Sequence, residues 1–245
     1  MKLRAAVGSA LFLGAIFVGC SSDPDVERRS AVEHGKDLFA DKKASNSTLN
    51  VFTCATCHRA EPDSAVGHIL PGYDLAGAVD RPTFWGGQRS DLLAAINDCR
   101  YLFMNATAAW TANDEDAKAM YAYLVSLPKT QTGALPFTVV QVAKELPAGD
   151  RGRGEQVFDG SCRTCHGAAH TGRGRLREGI PILPEESANV LSKSYGFTPA
   201  QVRTVFVEKA RHGGFLGVFG NMPLYSTEAL SDADLAAAIT FLDLY

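Results

Sequence analysis

After residue 20 the 245-residue chain has no apolar run near the roughly 18 residues that a membrane-spanning helix requires. Neither sign of charge prevails: 24 Lys and Arg stand against 27 Asp and Glu, spread along the chain. That balance excludes a basic nucleic-acid binder and a polyanionic tail, so no nucleic-acid partner is expected. Aromatic residues are few, at 9%, yet 46% of all residues are hydrophobic, which excludes a disordered chain. The strand–helix–strand context of thioredoxin-like motifs is missing as well. Methionine is scarce: besides Met1 there are only Met104, Met120 and Met222. The length accommodates one large domain or two of about a hundred residues, each with its own core.

The first residues carry an address. Lys2 and Arg4 form a positive n-region, and residues 5–18 form an apolar h-region, so residues 1–19 read as an export signal. Phe17-Val18-Gly19-Cys20 resembles the lipobox of bacterial lipoproteins, with Phe where Leu is usual. The resemblance implies lipidation at Cys20 and an anchor in a bacterial membrane. The alternative is an ordinary secretory signal with an incidental cysteine. Residues 20–29 read as a tether, opening on Ser21-Ser22-Asp23-Pro24 after the cysteine. Loss of Lys2 and Arg4 makes the exported chain more acidic than its formal charge of -3. Export places the other thiols in an oxidising, periplasmic compartment.

The remaining cysteines are Cys54, Cys57, Cys99, Cys162 and Cys165. Four of them form two identical constellations, Cys54-Ala55-Thr56-Cys57-His58 and Cys162-Arg163-Thr164-Cys165-His166. C-x-x-C-H is the attachment site of c-type haem: two thiols add to the vinyl groups of one haem, and the adjacent imidazole sits beneath the iron. A redox-active C-x-x-C lacks its context here. A joint zinc site does not explain why a histidine directly follows each pair. Two such motifs behind an export signal point to two covalently bound c-type haems.

On these residues the chain resembles a dihaem c-type cytochrome with two class-I-like cytochrome c domains. Gly154-Glu155-Gln156-Val157-Phe158 matches the G-x-x-x-F entry helix of that class, and Gly35-Lys36-Asp37-Leu38-Phe39 repeats it. The interval from glycine to first cysteine is longer in the first copy, where the polar residues 40–53 read as a surface loop. The resemblance implies an all-α fold, two tandem domains each wrapped around one haem. Domain 1 is expected over residues 30–128 and domain 2 over 150–245. The connection 129–149 between them is rich in Pro and Gly.

Both halves show the same helix order. Ser90-Asp91 opens a helix with Leu92, Ile96, Cys99 and Phe103 on one face, and residues 113–116 open the helix that ends the first half. Thr198-Pro199 and Ser231-Asp232 open the corresponding helices of the second. Residues 136–142 read as the one candidate strand. In this class the distal ligand is a methionine in the loop before the last helix, which implies Met222, within Asn221-Met222-Pro223. Met104 keeps the same register: each methionine lies nine residues ahead of the opening of the last helix. Met120 falls inside a helix and reads as core packing.

Cys99 is the odd thiol, with three readings: a small buried hydrophobe, a partner for another chain, or an axial ligand in place of Met104. The stretch Asn97-Asp98-Cys99 followed by Met104-Asn105 is similar to dihaem thiosulfate dehydrogenases and sulfur-oxidising cytochromes, where a cysteine holds the catalytic haem. His212 reads as a surface residue at a helix end or a neighbour of the second haem. His170 lies four residues past His166 in a glycine-rich loop, and His34 and His68 sit in polar surroundings. Arg173, Arg175 and Arg177 read as a solvated run or as a clamp on a haem propionate. Pro71 and Pro181 are implied by the resemblance to orient His58 and His166 through their backbone carbonyls. Trp85 packs on the first haem or on the core.

The function this implies is a membrane-tethered, extracytoplasmic carrier of single electrons between redox protein partners. The alternative is a sulfur oxidoreductase of thiosulfate dehydrogenase type, with Cys99 as axial ligand of the catalytic haem.

Overall fold

The computed structural model describes residues 29–62, 67–214 and 221–245. The export signal over residues 1–19, Cys20 and all of the tether but Arg29 lie outside the described residues. No helix among the described residues is long and apolar enough to cross a membrane.

Two copies of one helical plan follow each other. In the first, α1 (Ala31–Ala40), α2 (Cys54–Cys57), α3 (Leu92–Leu102) and α4 (Glu115–Ser126) are joined by long irregular segments with short 3-10 turns. In the second, the order is α5 (Arg151–Ser161), α6 (Arg163–His166), α7 (Glu185–Asn189), α8 (Pro199–His212) and α9 (Asp232–Phe241). A π-helical turn over Val190–Ser194 continues α7. Extended backbone pairs, among the described residues, in an isolated bridge between Phe84 and Arg89.

Local chemistry sets the helix starts. Ser30 and Glu33 form a capping box on α1, and Thr198 and Gln201 form another on α8, where Pro199 takes the first helical position. Asp91, Asp150 and Ser231 accept from the backbone N–H of Ala94, Arg153 and Asp234. Such bonds satisfy N–H groups that have no partner within the helix.

Each domain is held by its first and last helices. On α1 a Cβ at Gly35 would lie 2.0 Å from the Ala119 carbonyl oxygen of α4, and on α5 a Cβ at Gly154 would lie 2.0 Å from that of Ala237 on α9. Only glycine permits backbones this close. Four residues on, the aromatic of each G-x-x-x-F packs on the same partner helix. Phe39 meets Tyr123 at 5.7 Å between centroids, and Phe158 meets Phe241 at 5.6 Å. Met120 is buried in the first core with Leu38, Phe39 and Leu124. Val157, Val207, Leu235 and Ile239 centre the second.

Two connecting segments depart from expectation. Residues 40–53 are not a solvated loop: Ala44, Ser45, Asn50 and Phe52 are buried. Asn50 makes this possible, donating to the carbonyls of Lys42 and Phe52 and accepting from the Phe52 N–H, so the polar residue closes its own turn. Residues 136–142 form no strand, because their backbone bonds go to side chains and loops instead. The connection is strapped to both domains. Arg81 donates to the Gln131 carbonyl and Tyr73 to that of Pro136. Thr138 is held by Glu228 and Thr227, Ala143 by Glu208, and Glu145 pairs with Arg203.

Candidate haem-binding sites

Each C-x-x-C-H motif forms one tight helical turn that presents its sulfurs and its imidazole. In the first, Thr53 and Thr56 cap α2 reciprocally, and the His58 N–H closes onto the Cys54 carbonyl at 2.9 Å. In the second, α5 runs through Ser161 into Cys162, and the His166 N–H closes onto the Cys162 carbonyl at 2.9 Å. Burial pushes the Cys54 and Cys162 thiols up to about 11 and Cys57 to about 12. All three therefore stay as neutral thiols near neutral pH. Among the described residues no three His, Cys, Asp or Glu side chains converge on a point that suits a metal ion.

The imidazoles are held alike. His58 Nδ1 pairs with the Tyr73 carbonyl at 2.7 Å and His166 Nδ1 with the Pro181 carbonyl at 2.9 Å, each fifteen residues downstream. The proline expectation thus describes the second site only; in the first, Pro71 lines the cleft and the carbonyl belongs to Tyr73. A carbonyl acceptor fixes the proton on Nδ1 and leaves Nε2 as a free donor of electrons to a metal. Burial also lowers both imidazole pKa values, outweighing these bonds, and keeps both rings neutral.

Behind His58 stands Gly72, where a Cβ would fall 2.2 Å from Cε1 and 2.4 Å from Nδ1 of the ring. The Gly72 N–H is tied to the Cys57 carbonyl at 3.0 Å, so this backbone cannot retreat without losing that bond. Around the carbonyls that hold the imidazoles, partly buried guanidinium groups fix the chain. Arg81 donates to the Asp74 carbonyl, next to Tyr73, at 2.5 Å. In the second site Arg175 donates to the Ile180 carbonyl, Glu186 accepts from the Ile182 N–H, and the two side chains face each other at 3.6 Å. They grip the peptides on either side of Pro181. Arg175 thus braces this loop, while Arg173 and Arg177 are exposed.

An apolar cleft of about 1360 Å³, open mouth included, lies over the first motif. Cys54, Cys57 and His58 form one wall. Leu92, Ile96, Cys99 and Phe103 of α3 all line it, as does Met104. Met104 is 4% exposed and packs with Ala44 and Phe52, so the buried residues of the segment 40–53 form the floor beneath it. Its carbonyl accepts from Ser45 Oγ at 2.6 Å. Cys99 lies in the same cleft, its thiol pushed up by burial first and then by the neighbouring Cys54 and Cys57. Trp85 lines the cleft, stacks on Phe103 at 6.1 Å and meets Phe137 edge-on at 5.4 Å, so it serves the cleft and the core together. Arg100, 3% exposed, lies 4.0 Å above the Trp110 ring and donates to the Ala44 and Ala108 carbonyls.

In the second domain Met222 follows Asn221 and precedes the anchored Tyr225, whose hydroxyl donates to the Ser161 carbonyl at 2.8 Å. Residues 215–220, just before it, lie outside the described residues. Arg211, 1% exposed, donates to the Tyr225, Ser226 and Leu230 carbonyls and pairs with Asp232, which fixes the loop between Met222 and α9. The domains meet here. Cys165 packs against the cluster around Met104, and Pro223 and Leu224 line the first cleft. His212 is partly buried at the end of α8. It bonds to Glu208 at 2.5 Å and to the Val140 carbonyl, clasping the connection to α8. His34 staples α1 to Asp116 at 2.8 Å, and His170 pairs with Glu185 at 2.7 Å. His68 is exposed.

The residues present suit a covalently held haem: paired thiols, a neutral imidazole aimed across an apolar cleft, and sulfur donors lining that cleft. Family models agree for both halves. The model for cytochrome c matches residues 32–128, and the model for cytochrome c oxidase, cbb3-type, subunit III matches residues 149–242. The chain is a tandem of two cytochrome c domains, the class of protein that carries c-type haem and transfers electrons. Among solved structures it is similar to the thiosulfate dehydrogenase (TsdBA) from Marichromatium purpuratum in its as-isolated form, with 20% identity and a TM-score of 0.41. That similarity covers 87% of this chain and 45% of the other, so the chain spans less than half the length of that protein. No curated protein matches the chain.

Gly72, Arg81, Arg100, Arg211 and Glu186 were not among the residues singled out by sequence. Arg100 alone carried a signal there: it lies four residues after Ile96 and three before Phe103, a charge on the apolar face of α3.

Proposed function

We propose that this protein is a dihaem electron carrier, tethered by lipid at Cys20 to the extracytoplasmic face of a bacterial membrane, that passes single electrons between redox protein partners. The observation that carries the reading is the matched holding of His58 and His166 by backbone carbonyls, in two domains that touch beside Met104 and Cys165. Bound haem iron supplies the one-electron chemistry, and His/Met ligation raises its potential relative to His/His. The chain does the rest. His58 and His166, held through Nδ1, would offer Nε2 to the iron, and Met104 and Met222 would be the sulfur ligands. Leu92, Ile96 and Phe103 give the first site an apolar wall. Were a sulfur and an imidazole both to hold each iron, no position would be left for a substrate, and partners would engage by small transient contacts. The acidic balance of the exported chain suits partners with basic docking faces.

Replacement of Met222 by alanine tests this. The sulfur-to-iron charge-transfer band of one haem is expected to disappear; an unchanged ferric spectrum refutes the assignment. The second reading is a sulfur oxidoreductase of thiosulfate dehydrogenase type, favoured by the place of Cys99 in the first cleft beside Cys54 and Cys57. Cys99→Ala separates the two. The low-spin electron paramagnetic resonance signal of the first haem persists in the carrier and changes in the enzyme, and thiosulfate reduces the oxidised protein only in the second case.

A further inference from the structure

We infer that residues 221–224 are a structural part shared by both haem sites, and that Asn221 is a positioning residue for the first site, acting across the domain boundary. The inference rests on the reading above in one respect, that Met222 serves the second haem. The rest is geometry. The Asn221 side-chain amide spends both donors on the first domain, at 2.8 Å to the Phe103 carbonyl and 2.8 Å to Asn105 Oδ1. These two acceptors flank Met104. On the same strand of backbone, Pro223 and Leu224 line the first cleft. Of four successive residues, three serve the first site, and the one between Asn221 and Pro223 is the sulfur proposed for the second.

The clamp also bears on backbone conformation. Asn105 has φ +53°, in the left-handed region that a residue with a side chain enters at a cost. Asparagine tolerates it better than most, and a bond to its side-chain oxygen holds it there. With the Met104 carbonyl accepting from Ser45, the sulfur-bearing residue is held at the carbonyl before it, at its own carbonyl and through the side chain of the residue after it. Met222 is joined directly to Asn221 and Pro223, so a backbone change at Met222 would be passed to this grip, and a change in the grip to Met222. The two sites therefore share a coupling free energy that is reciprocal.

The test uses the full-length holoprotein. Asn221→Asp keeps the shape but turns two donors into an acceptor facing two oxygens. Losing two such bonds changes the preference of the Met104 loop for its held geometry on the order of tenfold. Where the held geometry favours one oxidation state of the first haem over the other by that factor, its potential shifts by about 59 mV. A second low-spin species of that haem is expected by electron paramagnetic resonance, while the sulfur band of the second haem persists. If the first haem keeps the wild-type potential and signal in Asn221→Asp, the inference is overturned. Met222→Ala is read on the second haem alone, so failure of the ligand assignment is told apart from failure of the clamp. Should Asn221→Asp not load haem, Asn105→Gly removes one acceptor while suiting the positive φ. A smaller shift of the first haem in the same direction supports the clamp, and no shift overturns it.

Discussion

Replacing Gly72 by alanine puts the holding of the first imidazole to a direct test. The new methyl would stand 2.2 Å from His58 Cε1, 2.4 Å from Nδ1 and 2.8 Å from Nε2, so ring and peptide cannot keep their places together. The ring is the mobile partner, because the Gly72 N–H is anchored to the Cys57 carbonyl. Turning the ring breaks its 2.7 Å bond to the Tyr73 carbonyl. An overpacked interior costs about 1–3 kcal/mol, and a lost hydrogen bond adds about 1 kcal/mol. For a domain of this size about 2–4 kcal/mol corresponds to a fall in Tm of at least roughly 8 °C. Calorimetry of the holoprotein is expected to show that fall in the transition of the first domain. The low-spin signal of its haem should broaden or split, while the second haem, held through Pro181, stays unchanged. Gly133→Ala is the control, since a Cβ there meets nothing within 4 Å. A Gly72→Ala protein with wild-type Tm and wild-type resonance would refute the packing argument.

The remaining predictions concern the second domain. Glu186→Gln removes the charge that faces Arg175 and loosens the peptides flanking Pro181. The potential of the second haem should shift while that of the first holds, as read by spectropotentiometric titration. The Val140 carbonyl raises the pKa of His212 above 6.5, partial burial opposes it, and Glu208 adds to the rise. Because the folded value exceeds the unfolded one, this clasp stabilises fully below about pH 6.5 and fades as pH rises through the folded pKa. Wild-type and His212→Gln proteins should therefore differ most in Tm at acid pH and converge at alkaline pH. Gly154→Ala sets a methyl 2.0 Å from the Ala237 carbonyl oxygen and forces α5 off α9, so the second domain should fail to load haem, as mass spectrometry would reveal.

What could be read from sequence is what depends on neighbours along the chain. C-x-x-C-H is such a feature, since thiols and imidazole fall within one helical turn. The starts of α8 and α9 are others, because Thr198 and Ser231 bond to N–H groups three residues on. The entry helices were legible because glycine and phenylalanine four apart share a face. What could not be read depends on where distant segments meet. Residues 40–53 look solvated by composition, yet Asn50 satisfies its own turn and lets Phe52 and Ala44 pack beneath Met104. Residues 136–142 have strand-like residues, but their partners are Glu228, Thr227 and His212 rather than a second strand. The carbonyl that holds His58 belongs to Tyr73 and not Pro71, a matter of how residues 71–75 fold back on the motif. Asn221 could not be found by sequence because its acceptors lie more than a hundred positions away.

The central claim is that two separate domains each fix one haem through paired thioethers. Intact-protein mass spectrometry, followed by peptide mapping of mature protein made with a working maturation system, tests it most directly. The account predicts a mass increment of two haems, one on the peptide holding Cys54 and Cys57 and one on the peptide holding Cys162 and Cys165. A single increment, or free thiols at either pair, would contradict it.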